Sequence, residues 1–334
     1  MQIIIRVILL VFTNMPFFIY SQNRPSIEDF GVRHLEIIFQ KDTVDIIIKS
    51  KKGDEQKQKP IFLFCQGSLP IPLLKYDKKG NYGITPFNTD LICEDFHLII
   101  IGKPNIPLLS SKENLGKNST YLDKNGKFPT EYSNKNLLDY YVKRNKFILN
   151  FLIKQKWVSN RKLVVAGHSE GSTIAAKLTE IYPKITHLIY ASGNPMGRIM
   201  SMINQNRAIE SDSLKLAEDE IKYWEHVVND KDNLNDDFGD TNKASYQFSN
   251  PPIQYLEKIK IPILISYGTK DWCAPFIDFM RVDFIRKHKT NFTYNPYIGL
   301  EHNFFPLLEN GKPNYAIFNW DKVANDWINW LKTN

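Results

Sequence analysis

Lys162-Leu-Val-Val-Ala-Gly-His-Ser-Glu-Gly171-Ser-Thr-Ile-Ala-Ala-Lys177 is the stretch whose reading decides the fold. Leu163 to Ala166 is an apolar run long enough for one buried strand. After Gly167-His-Ser-Glu-Gly171 a helical period begins at Ile174, Leu178 and Ile181. Strand, G-x-S-x-G and helix in this order form a nucleophile elbow. The chain must turn from strand to helix within about one residue, which forces the serine into a strained backbone conformation. Side chains at positions 167 and 171 would collide in so tight a turn, so glycine is needed on both sides. The turn lifts the Ser169 hydroxyl above the sheet edge and sets the Glu170 N–H at a helix N-terminus, where negative charge is favoured.

The chain around this stretch has 334 residues, enough for one large α/β domain with an insertion. Its 43% hydrophobic and 24% charged residues are those of a folded globular protein. The formal charge of +7 is scattered rather than gathered into a basic stripe with interleaved aromatics, so no nucleic-acid partner is expected. Cys65, Cys93 and Cys273 form no C-x-x-C pair, which suggests neither a zinc site nor a redox motif. Cys65 lies in an apolar run and reads as a small buried hydrophobe.

The N-terminus is different. Arg6 precedes an apolar run from Val7 to Tyr20, and Ser21 follows. The pattern predicts a secretory signal peptide over residues 1–21, with an uncleaved anchor as the alternative. The expected product is an exported protein, periplasmic or extracellular, with no stable membrane span after cleavage. Its domain would occupy residues 22–334.

Apolar and β-rich runs alternate with helical patterns along that domain. Arg33–Phe39 and Thr43–Lys49 read as an antiparallel hairpin, and Pro60–Cys65 and Phe96–Ile101 as strands covered on both faces. A helix is expected from about Asn136 to Lys156, capped by Ser133 or Asn134. Ile185–Ala191, Ile261–Ser266 and Phe292–Ile298 are further strands, and Asp321–Lys332 is a closing helix. Residues 197–250 are charged and helical in composition and read as a lid inserted between two strands. The alternation implies a mostly parallel central sheet with helices on both faces. Ligands of such sheets sit at the carboxyl ends of the strands.

Three residues that follow strands carry a chemical reading. Ser169 needs a base to take its proton, and the base needs a partner to orient it. Asp271 follows one strand and His302 another, in the order Ser, Asp, His. Asp278 is the rival acid, but it falls within the next helix. His34, His97, His168, His187, His226 and His288 lie in the hairpin, strands, elbow, insertion or a helix end.

On Gly167-His-Ser-Glu-Gly171, Gly268-Thr-Lys-Asp271 and Gly299-Leu-Glu-His302, residues 33–332 resemble the α/β-hydrolase superfamily. The resemblance implies an α/β-hydrolase fold with a helical lid, and a triad of Ser169, Asp271 and His302. It also implies two backbone N–H groups that hold an oxyanion. One is that of Glu170; the other is assigned to Ser68 in Gln66-Gly67-Ser68, with Gly67 as the alternative. The expected activity is that of a serine hydrolase cleaving a carboxylic ester of a small-molecule acyl substrate through an acyl-enzyme on Ser169, without metal or organic cofactor. A peptidase or amidase, a thioesterase or acyltransferase, and a non-catalytic binder on the same fold are the competing classes. Leu69–Leu74, Asn105–Leu109 and lid residues Tyr223, Trp224, Tyr246 and Phe248 each read either as ordinary packing or as an apolar wall for the acyl group. Trp272 is a pocket candidate beside the acid.

Overall fold

The computed structural model describes residues 24–235 and 240–334. The expected signal segment lies outside the described residues. The strands are β1 (Arg33–Phe39), β2 (Asp42–Lys49), β3 (Lys59–Cys65), β4 (Leu74–Asp77), β5 (Gly80–Gly83), β6 (His97–Ile101), β7 (Leu109–Ser111), β8 (Val158–His168), β9 (His187–Ala191), β10 (Ile263–Gly268) and β11 (Phe292–Tyr297). The helices are α1 (Asp90–Cys93), α2 (Thr130–Lys135), α3 (Leu138–Leu152), α4 (Glu170–Ile181), α5 (Arg198–Arg207), α6 (Leu216–Asn229), α7 (Asn242–Phe248), α8 (Ile253–Leu256), α9 (Ala274–Arg286) and α10 (Trp320–Thr333).

Eight strands form one sheet in the order β1-β2-β6-β3-β8-β9-β10-β11. The hairpin β1–β2 and the β2–β6 pair are antiparallel; every other pair in this sheet is parallel. Gln40 and Lys41 turn the hairpin with φ of 49° and 72°, the positive pair that matches strand twist in a two-residue turn. The central strands are continuous apolar runs because both of their faces are covered. One face packs against α3, α4 and α9 through Tyr141, Ile174, Leu178 and Ile277. The other packs against α1 and α10 through Ile92, Val323, Trp327 and Trp330. Trp327 is fully buried and its indole N–H donates to Ser266 Oγ at 3.1 Å, so that the polar tip is satisfied inside the core.

The structure departs from expectation in several places. A second sheet, β5-β4-β7, was not read from the sequence. Its strands have only three or four residues, too few for a period to stand out. The helix expected from Asn136 starts at Leu138, and neither Ser133 nor Asn134 caps it. Both lie inside α2, a separate turn of helix, and the residue at the cap position is Leu137. Between β9 and β10 the chain forms α5 to α8. Among the described residues, no helix is long and apolar enough to cross a membrane.

Candidate active site

β8 ends at His168 and α4 begins at Glu170, leaving Ser169 alone in the turn with φ 57° and ψ −126°. Such a conformation costs of order 1–3 kcal/mol and persists only where its surroundings over-determine it. They do so here. A Cβ on Gly167 would stand 2.1 Å from the Gly171 carbonyl oxygen, and one on Gly171 would stand 2.1 Å from the Cys65 carbonyl oxygen. The Ser169 N–H donates to the Ala191 carbonyl at 3.0 Å, and its own carbonyl accepts from the Ser172 N–H at 3.0 Å and the Ser172 hydroxyl at 2.6 Å.

The loops after β10 and β11 bring the other two candidates to the serine. Ser169 Oγ lies 3.0 Å from His302 Nε2, and His302 Nδ1 lies 2.9 Å from Asp271 Oδ2. Asp271 and His302 are both buried. The Cys273 N–H donates to Asp271 Oδ1 at 2.9 Å, which fixes the carboxylate so that its other oxygen meets the imidazole. The loops are joined by the Lys270 N–H, which donates to the Leu300 carbonyl at 2.8 Å, and by the Gly299 N–H, which donates to the Thr269 side-chain Oγ1 at 2.9 Å. Glu301 Oε1 accepts from the N–H groups of Asn303 and Phe305 at 2.8 and 3.0 Å, shaping the turn just after His302. Asp278 accepts the Tyr267 hydroxyl at 2.9 Å.

His168, inside the elbow, holds the histidine from below. Its Nε2–H donates to the His302 carbonyl at 2.9 Å. Burial, and then the neighbouring His302, push His168 down to about 3, so that it stays neutral in this role. The His302 ring also stacks on Trp272, with ring centres 4.5 Å apart.

The N–H groups of Glu170 and Ser68 make no hydrogen bond to any described residue, and both residues line the same cavity as Ser169. The peptide carbonyl of Ser68 is anchored by the Tyr132 hydroxyl at 2.8 Å and by Lys103 Nζ at 3.4 Å. Lys103 reaches from the end of β6 and also pairs with Glu170 Oε1 at 3.0 Å. The other Glu170 oxygen meets the Arg198 guanidinium at the start of α5. Arg198 continues to Asp240 at 2.6 Å, and its guanidinium lies 4.4 Å above the Phe248 ring. Burial lowers Lys103 from the ordinary lysine range, with Glu170 opposing that shift. Burial raises Asp240, with Arg198 opposing. The quartet of two cations and two carboxylates ties α5 and Asp240 to the elbow. Of its members only Glu170 was named from the sequence, and for its backbone N–H; Lys103, shortly after β6, Arg198 and Asp240 were not.

The cavity above Ser169 has a volume of about 980 Å³. Leu69, Ile71 and Phe248 line it, as does Trp272. The second proline-leucine loop is not part of the wall: its Ile106 and Leu109 are buried. Nor do Tyr223, Trp224 and Tyr246 line it. Trp224 stacks on Tyr246 at 5.9 Å and the Tyr223 hydroxyl bonds Ser245 at 2.6 Å, so the three pack within the insertion. Phe305, Tyr315 and Phe318, from the segment between β11 and α10, complete the wall. They had escaped notice because that segment has neither strand nor helix period.

The family described as BAAT / Acyl-CoA thioester hydrolase C terminal matches residues 139–290, a span that contains Ser169 and Asp271 and ends before His302. The acylamino-acid-releasing enzyme of Mus musculus is 24% identical over 135 residues, which are 40% of this chain and 16% of that enzyme's length. The fold is similar to that of Pyrococcus horikoshii acylaminoacyl peptidase, with a TM-score of 0.55 and 11% identity over 90% of this chain and 41% of that one. It is also similar to Est1E from Butyrivibrio proteoclasticus, described with ferulic acid bound, with a TM-score of 0.55 and 14% identity over 90% of this chain and all 100% of that one. Porphyromonas gingivalis dipeptidyl peptidase 4 is a third such structure, at a TM-score of 0.52 and 10% identity over 89% of this chain and 35% of that one. The chain thus spans less than half of the two peptidases and the whole length of Est1E.

Proposed function

We propose, for a chain that belongs to the α/β-hydrolase superfamily, that it is a serine hydrolase which cleaves a carboxylic ester through an acyl-enzyme on Ser169. The observation that carries the reading is the pair of distances linking Ser169 Oγ to His302 Nε2 at 3.0 Å and His302 Nδ1 to Asp271 Oδ2 at 2.9 Å. With the Nδ1 proton on the Asp271 side, Nε2 is free to accept the Ser169 proton as Oγ attacks the carbonyl carbon. The resulting oxyanion takes the unpaired N–H groups of Glu170 and Ser68. His302 then returns the proton to the leaving alcohol. Water, deprotonated by the same nitrogen, attacks the acyl-enzyme and releases the acid.

The likeness to Est1E, which covers all of that protein, supports the ester reading, and the likeness to the two peptidases supports the amide alternative. The thioesterase reading has its own support in the family matched over residues 139–290. We further propose that the segment from α5 to α7 serves as a lid over the cavity, and that the protein is exported, on the composition of residues 1–21. Hydrolysis of an oxygen ester, a thioester and an amide with the same acyl group tests the chemistry. The ester is expected to give the highest kcat/KM. A higher value for the thioester moves the activity to thioester hydrolysis, and a comparable value for the amide moves it to peptide or amide cleavage.

A further inference from the structure

The cavity walls differ across the sheet. Ser169 stands at the carboxyl edge of β8, near the middle of the sheet, so the cavity extends over both faces. Over the face covered by α3, α4 and α7 stand Glu170, Arg198 and Asp240, the only Asp, Glu, Lys or Arg side chains that line the cavity among the described residues. Over the opposite face, above Phe64, Phe304 and Trp320 of the second core cluster, the lining is mostly apolar, with the uncharged Asn303 beside His302. Ile84 and Pro86 supply one wall there, and Phe305, Tyr315 and Phe318 the other.

The aromatic wall is built in place and left open. Phe305 packs edge-on against Tyr315 with ring centres 5.0 Å apart, and against Phe318 at 6.2 Å. Yet Tyr315 is 72% and Phe318 53% exposed at the mouth, and Ile317 between them is 51% exposed. Large apolar side chains fixed at the rim of a reaction cavity, with no charge beside them, gain free energy only when something apolar covers them. A small acyl group bonded to Ser169 would fill only a small part of the cavity of about 980 Å³ that these side chains help to close.

Resting on the ester-hydrolase reading above, we propose that the substrate carries an extended apolar group, an alkyl chain of about six carbons or more or an aryl ring system, which lies between Ile84–Pro86 and the Phe305–Tyr315–Phe318 wall. The polar wing over Arg198 receives the smaller, polar part of the same molecule. Each buried methylene contributes roughly a fourfold gain in kcat/KM where it is held in the transition state. The apolar group could enter on the acyl or on the alcohol side of the scissile bond.

Two substrate series separate those sides, each with one leaving-group chemistry throughout: p-nitrophenyl acetate against p-nitrophenyl octanoate, and ethyl acetate against 4-phenylbutyl acetate, all below micellar concentrations. In at least one series kcat/KM is expected to favour the larger member by tenfold or more. That ratio is expected to fall at least threefold in Phe305→Ala/Phe318→Ala, and not in Phe279→Ala, an exposed phenylalanine on α9 far from the cavity lining. A smaller ratio in both series, or a smaller fall in the double variant, overturns the proposal. Labelling by a fluorophosphonate, followed by mass analysis of the Ser169 peptide, tests the underlying reading separately. Protein that is never labelled there defeats the ester-hydrolase reading itself, whereas labelled protein with no size preference defeats only the apolar wing.

Discussion

The two wings of the cavity border the same serine, but they are held by different physics. The polar wing is a linked circuit: Lys103, Glu170, Arg198 and Asp240 are paired in succession, and Lys103 and Glu170 have side chains only 3% exposed. The apolar wing is an open shelf of rings that touch each other at one edge and water at the other. A wall made of buried charge cannot change one member without leaving another unpaired. A wall made of exposed rings can change freely, because little of the fold leans on it. The first wing therefore holds the elbow in shape, while the second is where a new substrate preference can arise at low cost to stability.

Breaking the polar circuit is the harshest test of that contrast. Glu170→Ala leaves Lys103 buried without a carboxylate and is expected to destabilise the protein by about 3–5 kcal/mol in denaturant unfolding. Adding Lys103→Met, which removes the orphaned charge, is expected to recover part of the loss. If Glu170→Ala unfolds like the parent protein, the circuit contributes no structural constraint.

His168, beneath His302, sets a pH-dependent effect that is small near neutrality. Its pKa is held down to about 3, chiefly by burial, against an ordinary value near 6.5. Between those values the unfolded chain binds a proton that the folded one refuses. This stabilisation is complete above about pH 6.5 and is lost as pH falls toward 3, at up to ~1.4 kcal/mol per pH unit. In His168→Gln the acid limb of the stability profile is expected to flatten by about that slope. An unchanged limb would mean that other groups govern acid unfolding.

The smallest effect is expected where the selectivity effect is largest. Phe318→Ala, at the half-exposed rim, should shift stability by no more than about 0.5 kcal/mol, as surface substitutions do. A larger loss would show that the shelf is part of the core after all, and would erase the difference between the wings.

The same contrast explains what could be read from the sequence. Gly167–Gly171, Asp271 and His302 were legible because each follows a strand whose apolar run is visible, and because a sharp turn tolerates few residue types. The central sheet was legible for the same reason, down to the hairpin at Gln40-Lys41. The walls were not. Arg198 and Asp240 are 42 residues apart and meet only through the packing of the insertion, which no local period encodes. Phe305, Tyr315 and Phe318 sit in an irregular segment whose aromatics look like any others until the fold sets them in the wall of the cavity that holds Ser169. Strand β4 and its partners were too short to carry a pattern. The two apolar loops read equally as packing or as wall, and they divide: Leu69 and Ile71 line the cavity, whereas Ile106 and Leu109 of Asn105–Leu109 are buried.

All of this depends on Ser169 being the reacting group, and one comparison tests it most directly: kcat/KM of the parent protein and of Ser169→Ala on p-nitrophenyl butyrate, with folding of both checked by thermal unfolding. The alanine variant, still folded, is expected to lose about 10⁴-fold or more of the activity. A folded Ser169→Ala that keeps more than about a tenth of the parent rate would contradict the account, since only small losses are compatible with an intact alternative nucleophile.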